Sequence, residues 1–218
     1  MQDNKLFDNF AKQYDAYNNL TSLATHHFVK SKCVKMLDLK PEQRVLDLCT
    51  GTGDIARLIK KYSPSAAVFG LDESEKMLEI AKSKSADIEY VCANAESLPF
   101  DDGEFDIVTI SFGLRNIQNK QTAIDEIKRV LKPNGQFLHI DFGKQNNFAQ
   151  KIFNLCATLS GKLFLRNVPV NYFLNSIENY WSADEFEKVM EENGFTLQKS
   201  KGFMCSVVVA QMFRVLKN

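Results

Sequence analysis

Val45-Leu46-Asp47-Leu48-Cys49-Thr50-Gly51-Thr52-Gly53-Asp54 is the stretch that decides the fold. A short apolar run reads as a strand. It ends in a glycine-rich turn, and Ile55, Ala56, Leu58 and Ile59 then recur at helical spacing. Glycines let a ligand approach the backbone closely, and open α/β sheets bind ligands at the carboxyl ends of their strands. Gly51-Thr52-Gly53-Asp54-Ile55-Ala56 also fits the dinucleotide fingerprint GxGxxG/A, with Asp72 near the expected ribose acid, so a dinucleotide oxidoreductase competes. A pyrophosphate would sit at the helix N-terminus. Asp54 occupies that end and Asp47 precedes the turn. Two carboxylates repel a diphosphate but suit an ammonium and a sulfonium, which points to S-adenosylmethionine (SAM).

Composition narrows the class. The 218 residues suit one α/β domain with a helical addition, and 44% hydrophobic residues supply a core. Lys+Arg and Asp+Glu both number 27, so charge gives no support for nucleic acid as a partner. No apolar run approaches a membrane span, and the first residues lack the apolar region of a signal peptide. Cys33, Cys49, Cys92, Cys156 and Cys205 are widely spaced, odd in number and without a CxxC pair. They read as buried thiols of a reducing cytoplasm, not as a disulfide framework or zinc site. His26, His27 and His139 show no metal-ligand spacing, so no metal is expected.

From Arg44 onward strands and helices alternate. Strand-like runs fall at 45–49, 67–71, 88–92, 105–112 and 136–142, with helical patterns at 54–61, 74–83 and 122–131. This alternation predicts an α/β fold with a doubly wound, mostly parallel sheet covered by helices on both faces. Lys132-Pro133-Asn134-Gly135 predicts a turn. Ser182 and Glu185 form a capping-box pattern for a helix that Asn193-Gly194 closes. Residues 195–201 and 204–213 read as two closing strands, with Lys201-Gly202 as their turn. They bring the sheet to seven strands and favour the methyltransferase variant of the nucleotide fold. The whole of 1–218 reads as a single domain. Residues 1–40 form an N-terminal helical cap, with Phe7, Phe10, Tyr14 and Tyr17 on one face and a second helix over about 25–39. Residues 143–180 form a helical insertion over the substrate site, on which Phe148, Ile152, Phe153, Cys156, Leu159 and Leu163 share helical spacing.

The candidate ligand residues follow successive strand ends. Asp72 closes the second strand, where a carboxylate can accept both ribose hydroxyls. Asn94 follows the third and can meet an adenine edge, while the Ala95 N–H can read a ring nitrogen. Ser111 follows the fourth and can contact the methionine end.

The chain also resembles the ubiquinone/menaquinone-biosynthesis C-methyltransferases. The resemblance rests on 46–54, Leu98-Pro99-Phe100, Ile110-Ser111-Phe112-Gly113-Leu114-Arg115-Asn116 and the run 129–135. Phe7-Asp8, Tyr14-Asp15, Asn18, His26, Tyr172-Phe173-Leu174 and Ser176-Ile177 add to it. Ser-Phe-Gly-Leu-Arg-Asn is its most specific part. The resemblance implies that Thr52, Asp72, Asn94, Ala95 and Ser111 bind SAM, that Gly51 and Gly53 shape the loop, and that Arg115 faces the substrate ring. The chain departs from the family at Ile140-Asp141-Phe142-Gly143 (usually Leu-Glu-Phe-Ser), His26-His27 (usually His-Arg) and Tyr180-Trp181 (usually Phe-Pro). The last two sites border the expected substrate region.

The implied reaction is methyl transfer to a ring carbon of a prenylated quinol, such as demethylmenaquinol or a ubiquinol precursor, with S-adenosylhomocysteine as product. Positioning the acceptor carbon behind the methyl group supplies much of the rate. A base must take the quinol hydroxyl proton. Arg115 would stabilise the developing phenolate, and His26 or Tyr14 would position the hydroxyl. The alternatives are an O- or N-methyltransferase of another lipophilic acceptor, an NAD(P)-dependent oxidoreductase and a catalytically silent SAM-binding protein. The expected setting is cytoplasmic, with a peripheral membrane contact and a homodimer as open options.

Overall fold

The computed structural model describes residues 11, 14–16, 18, 19, 22, 25–143, 151–156, 158, 159 and 170–216. Phe7, Asp8, Phe10, Tyr17, Phe148, Lys162, Leu163 and Arg166 lie outside the described residues.

Helix α1 (Thr25–Val34) leads into β1 (Arg44–Leu48), α2 (Asp54–Tyr62), β2 (Ala67–Asp72), α3 (Glu75–Lys84) and β3 (Glu89–Cys92). Then come β4 (Phe105–Ser111), a 3₁₀ turn (Leu114–Asn116), α4 (Lys120–Val130) and β5 (Leu131–Phe142). Helices α5 (Val170–Glu178) and α6 (Ala183–Glu192) precede a closing hairpin of β6 (Phe195–Phe203) and β7 (Val208–Val215). The seven strands run in the order β3-β2-β1-β4-β5-β7-β6. The first five are parallel; β7 is antiparallel to both neighbours. The chain reverses its direction of winding between β1 and β4, and a crevice opens at that switch.

Residues alternate across the sheet and divide the core in two. Leu46, Leu48, Val108 and Phe137 face α4 and α6, meeting Ile124, Ile127, Phe186 and Met190. Val45, Val68, Ile107 and Leu138 face α1 and α2, meeting Val29, Cys33, Ile55 and Ile59. At about 25 cal/mol per Å² of buried apolar surface, these two layers are the main driving force for folding.

Local signals set the helix ends. Ser74 accepts a hydrogen bond from Met77 N–H and Asn119 from Thr122 N–H. Ser182 and Glu185 form the full reciprocal capping box, and Gly194 leaves α6 with φ +81°. Two turn expectations need correction. Residues 132–135 lie within β5, as an excursion where the pairing with β4 jumps from Phe105–Leu131 to Ile107–Gln136. The hairpin turns at Met204, Cys205 and Ser206, all with positive φ, because Gly202 still pairs with Val209. The cysteines differ as well: Cys33 is buried, but Cys92, Cys156 and Cys205 are exposed. Cys92 ends β3, an edge strand that pairs only with β2.

Candidate active site

A cavity of ≈ 290 Å³ lies over the carboxyl ends of β1, β2, β3 and β4. Of the residues expected at the site, Tyr14, Gly51, Asp72, Asn94, Ala95 and Ser111 line it. Asp47, Thr52, Gly53, Arg115 and His26 do not.

The glycine-rich turn is held from two sides. Asp72 accepts hydrogen bonds from Gly51 N–H at 2.8 Å and Ser74 N–H at 3.0 Å, tying the turn to the end of β2. Burial pushes its carboxyl above the usual range, and the two amide donors oppose that. On the other side Thr52 donates to Asp15 at 2.7 Å, and Tyr14 lies over Gly51. Thr52 is therefore turned toward the N-terminal segment.

Sequence reasoning did not single out Tyr90. A Cβ on Gly53 would come within 2.9 Å of its hydroxyl, and one on Gly70 within 2.8 Å of its ring. The tyrosine thus fills the space that two glycines leave open. Gly70, a glycine inside a strand, was the available signal. Glu73, Met77, Ile117 and Gln118 also line the cavity. They occupy ordinary helix and loop positions that carry no sequence signature.

The acids that favoured SAM are engaged elsewhere. Asp47 is buried and accepts hydrogen bonds from Thr50 and Thr109, both at 2.6 Å. Burial raises its carboxyl to about 6, against the pull of those hydroxyls. Its period-2 position turns it into the layer beneath the turn, away from the cavity. Asp54 pairs with Lys30 at 2.8 Å and Arg57 at 2.9 Å. Burial raises its carboxyl, but the Lys30 charge and these bonds outweigh that and hold it well below the usual range. Neither acid faces a ligand in the cavity, so the charge argument against a diphosphate does not stand.

His26 sits beside this pair, its Nδ1 2.7 Å from Ser22 Oγ. Burial, helped by the Lys30 charge, lowers it to about 4, so it is neutral at pH 7. His26, His27 and Asp54 converge, with ligand atoms within 4.8 Å of one another, although their sequence spacing gave no hint of it. Two cations already compensate the one carboxylate, which disfavours a third.

The 111–116 loop is specified residue by residue. Phe112 takes φ +56° and lines the cavity. Gly113 is required because a Cβ there would lie 2.4 Å from that of Cys49. Leu114 is fully buried, and Asn116 lines the cavity. Arg115 points behind the loop. Its Nη1 donates to Phe112 O at 2.6 Å and Asp141 Oδ1 at 2.8 Å, and its Nε to Ser176 at 3.2 Å. The rings of Phe112, Phe142 and Phe173 surround the guanidinium at 5.2–6.0 Å. Phe153, from a helical piece at 151–156, packs on Phe142 and Phe173. Phe112 is shared between this aromatic compartment and the cavity.

Tyr180 lies in the core, and its hydroxyl is 3.0 Å from His139 Nε2. The Tyr180 departure is thus absorbed by a buried partner and does not border the cavity. Trp181 packs against Tyr180 and Phe186.

Residues 2–217 match the model of the ubiE/COQ5 methyltransferase family. A demethylmenaquinone methyltransferase of Thermotoga maritima is 36% identical over 199 residues, spanning 88% of this chain and 86% of its own. The mitochondrial 2-methoxy-6-polyprenyl-1,4-benzoquinol methylase of Caenorhabditis elegans is 35% identical, over 88% of this chain and 72% of its own. Among solved structures, a chain from the complex of the Haloferax volcanii Trm112 methyltransferase activator with a methyltransferase superposes with TM-score 0.76. It is 16% identical and covers 98% of this chain and 97% of that one, a likeness in fold.

Proposed function

The chain belongs to the ubiE/COQ5 methyltransferase family, and from that premise we propose that it methylates a ring carbon of a prenylated quinol, using SAM. Demethylmenaquinol is the leading acceptor and a polyprenyl benzoquinol the alternative, after the names of the two relatives. The observation that carries this reading is the pairing of a polar cavity at the sheet's switch point with a cation walled by phenylalanines directly behind it.

The cavity residues fit SAM. The Asp72 carboxylate suits the ribose hydroxyls, and Asn94 with the Ala95 N–H suits adenine. Ser111 Oγ is buried with no hydrogen-bond partner among the described residues and belongs to a cavity-lining residue, so it has capacity for a ligand's polar end. When bound, SAM supplies an electrophilic methyl group on a sulfonium, and S-adenosylhomocysteine remains as the product. The chain's own work is to orient a flat acceptor, exclude water and stabilise charge on the acceptor oxygen. The phenylalanine compartment suits the first two tasks and Arg115 the third. The 1–40 segment acts as a cap through Tyr14, and the 143–180 segment as a substrate cover through Phe153 and Phe173.

The test is turnover. Purified protein with SAM and a reduced quinol panel is expected to give a product heavier by one methylene, carried on a ring carbon. Methylation only on oxygen or nitrogen, or SAM binding without turnover on any quinol, overturns the proposal.

A second expectation concerns lipid. No helix among the described residues is long and apolar enough to cross a membrane. A prenylated substrate must then be met at a bilayer surface. Ile152, Leu155 and Leu159 are 46%, 58% and 47% exposed, while neighbouring Phe153 packs inward, and Lys151 is exposed beside them. This outward stripe fits an interfacial contact with anionic lipid. Weak, salt-sensitive sedimentation with phosphatidylglycerol vesicles is expected. Leu155→Asp with Leu159→Asp is expected to lower the rate on a long-tailed quinol in vesicles by about tenfold, since burying one leucine is worth about 1.5–3 kcal/mol. The rate on a short-tailed soluble analogue stays unchanged. Equal losses on both substrates would refute a lipid-facing role.

A further inference from the structure

The reaction needs a proton acceptor. His26 lies outside the cavity and is paired with Ser22. Arg115 is permanently cationic. Behind the loop, however, Arg115 meets Asp141 at the end of β5. Asp141 is 2% exposed as a residue. Its Oδ1 accepts from Arg115 Nη1 at 2.8 Å and from Phe142 N–H at 2.8 Å. Its Oδ2 is buried and has no hydrogen-bond partner among the described residues.

A buried carboxylate oxygen without a donor is costly, and native proteins rarely keep one without a use. Here its neighbours are specific. The guanidinium beside it is ringed by Phe112, Phe142 and Phe173, and Phe112 also lines the cavity where the acceptor would meet SAM. What is missing at Oδ2 is a hydroxyl donor, and a quinol carries one.

We propose that Asp141 Oδ2 is the group that receives the acceptor's hydroxyl proton, with Arg115 holding the carboxylate and stabilising the resulting oxyanion; this rests on the quinol reading above. The acceptor O–H bond breaks, its proton passes to Oδ2, and its electron pair stays on the ring oxygen and feeds the ortho carbon. That carbon bonds to the methyl group while the methyl–sulfur bond breaks and its pair remains on sulfur. The ring C–H proton then leaves to solvent, its pair restoring aromaticity, and Asp141 returns its proton to the oxygen. One ring hydrogen is exchanged for methyl, and one proton is released.

The charged and titratable groups facing Asp141 are Arg115 on the 3₁₀ turn, His139 on the same strand face and Tyr180 after α5. Burial raises the Asp141 carboxyl above the ordinary range, with Arg115 opposing. Burial also lowers His139 to about 3 and raises Tyr180 well above a free phenol, so both stay neutral near pH 7. Arg115 is then the charged group that opposes the burial of the Asp141 carboxyl.

The experiment compares wild type with Asp141→Asn on demethylmenaquinol. An asparagine oxygen can still accept from Arg115 and Phe142, but its amide cannot take a proton. Expected are unchanged SAM affinity by calorimetry and a kcat lower by about 10²–10⁴-fold, the scale of general-base catalysis. The loss should recover with rising pH toward the phenol range, about 10, where the acceptor ionises unaided. A binding readout is independent of turnover. Wild type should bind 1-naphthol about tenfold or more tighter than 1-methoxynaphthalene, and the asparagine variant should lose that preference. A variant with normal SAM affinity, undiminished kcat and no alkaline recovery overturns the assignment while leaving the quinol reading intact. No wild-type turnover on any quinol overturns both. Should the variant not fold, the wild-type profile decides: kcat must fall tenfold per unit below an apparent pKa above the free carboxylate's value of about 4. A flat acid limb overturns the proposal.

Discussion

Replacing Arg115 by methionine is expected to lower folding stability by about 3–5 kcal/mol, the usual loss when one partner of a buried ion pair is removed. Arg115 and Asp141 side chains are 6% and 1% exposed, so water cannot replace the missing partner. Three hydrogen bonds also go, to Phe112 O, Asp141 and Ser176. The Phe112 bond braces a residue with φ +56° that faces the cavity, so SAM affinity is expected to fall too. pH separates the causes. Losing the guanidinium raises the Asp141 carboxyl further above its unfolded value. The native state then binds the proton more tightly than the unfolded chain, so the contribution to stability is lost as pH rises between the two values. The methionine variant should therefore regain stability on acidification from pH 7. Adding Asp141→Leu should restore much of the loss at pH 7, because no unpaired charge remains. Urea unfolding checks both: a loss below about 1 kcal/mol, or no pH dependence, would show that the pair is not coupled to the fold.

Much of the architecture was legible because strands and helices leave periodic traces. The 45–54 run, the alternation after Arg44 and the Ser182–Glu185 cap each depend on neighbours within a few residues, and each was found. The hairpin turn was misread because Gly202 looked like a turn residue. The turn instead uses three consecutive non-glycine residues at positive φ, which sequence rules discount. The site was legible only as far as strand ends are. Gly51, Asp72, Asn94, Ala95 and Ser111 could be placed at the cavity because each ends or follows a strand. Asp47 and Asp54 could not be judged, because their partners (Thr109, and Lys30 with Arg57) are distant or ordinary in sequence. The Arg115–Asp141 pair joins residues 26 apart across a strand crossover. No local pattern announces it. Asp141 was noticed only as a departure from the family, without its chemistry.

Asp72→Ala carries the other large expectation: SAM affinity should fall by about 1.5–3 kcal/mol, the scale of hydrogen bonds to a charged group, or roughly 10–150-fold in Kd. This substitution removes together an observed brace and a proposed ligand contact. The Asp72 oxygens accept from Gly51 and Ser74 N–H, which shapes the turn, and the side chain lines the cavity where ribose hydroxyls would meet it. A weakened affinity alone therefore does not distinguish a ligand contact from a brace. A thermodynamic cycle does. S-adenosylhomocysteine and its 2′-deoxy analogue are compared by calorimetry on wild type and variant. If Asp72 receives the ribose hydroxyl, deleting that hydroxyl weakens binding to wild type and costs little on the alanine variant. If the deoxy analogue loses equally on both proteins, Asp72 acts only through Gly51, and the turn's shape rather than a carboxylate–ribose bond accounts for the affinity. The brace predicts a further difference: it lowers unfolding stability in the absence of any ligand, which the ribose contact by itself does not.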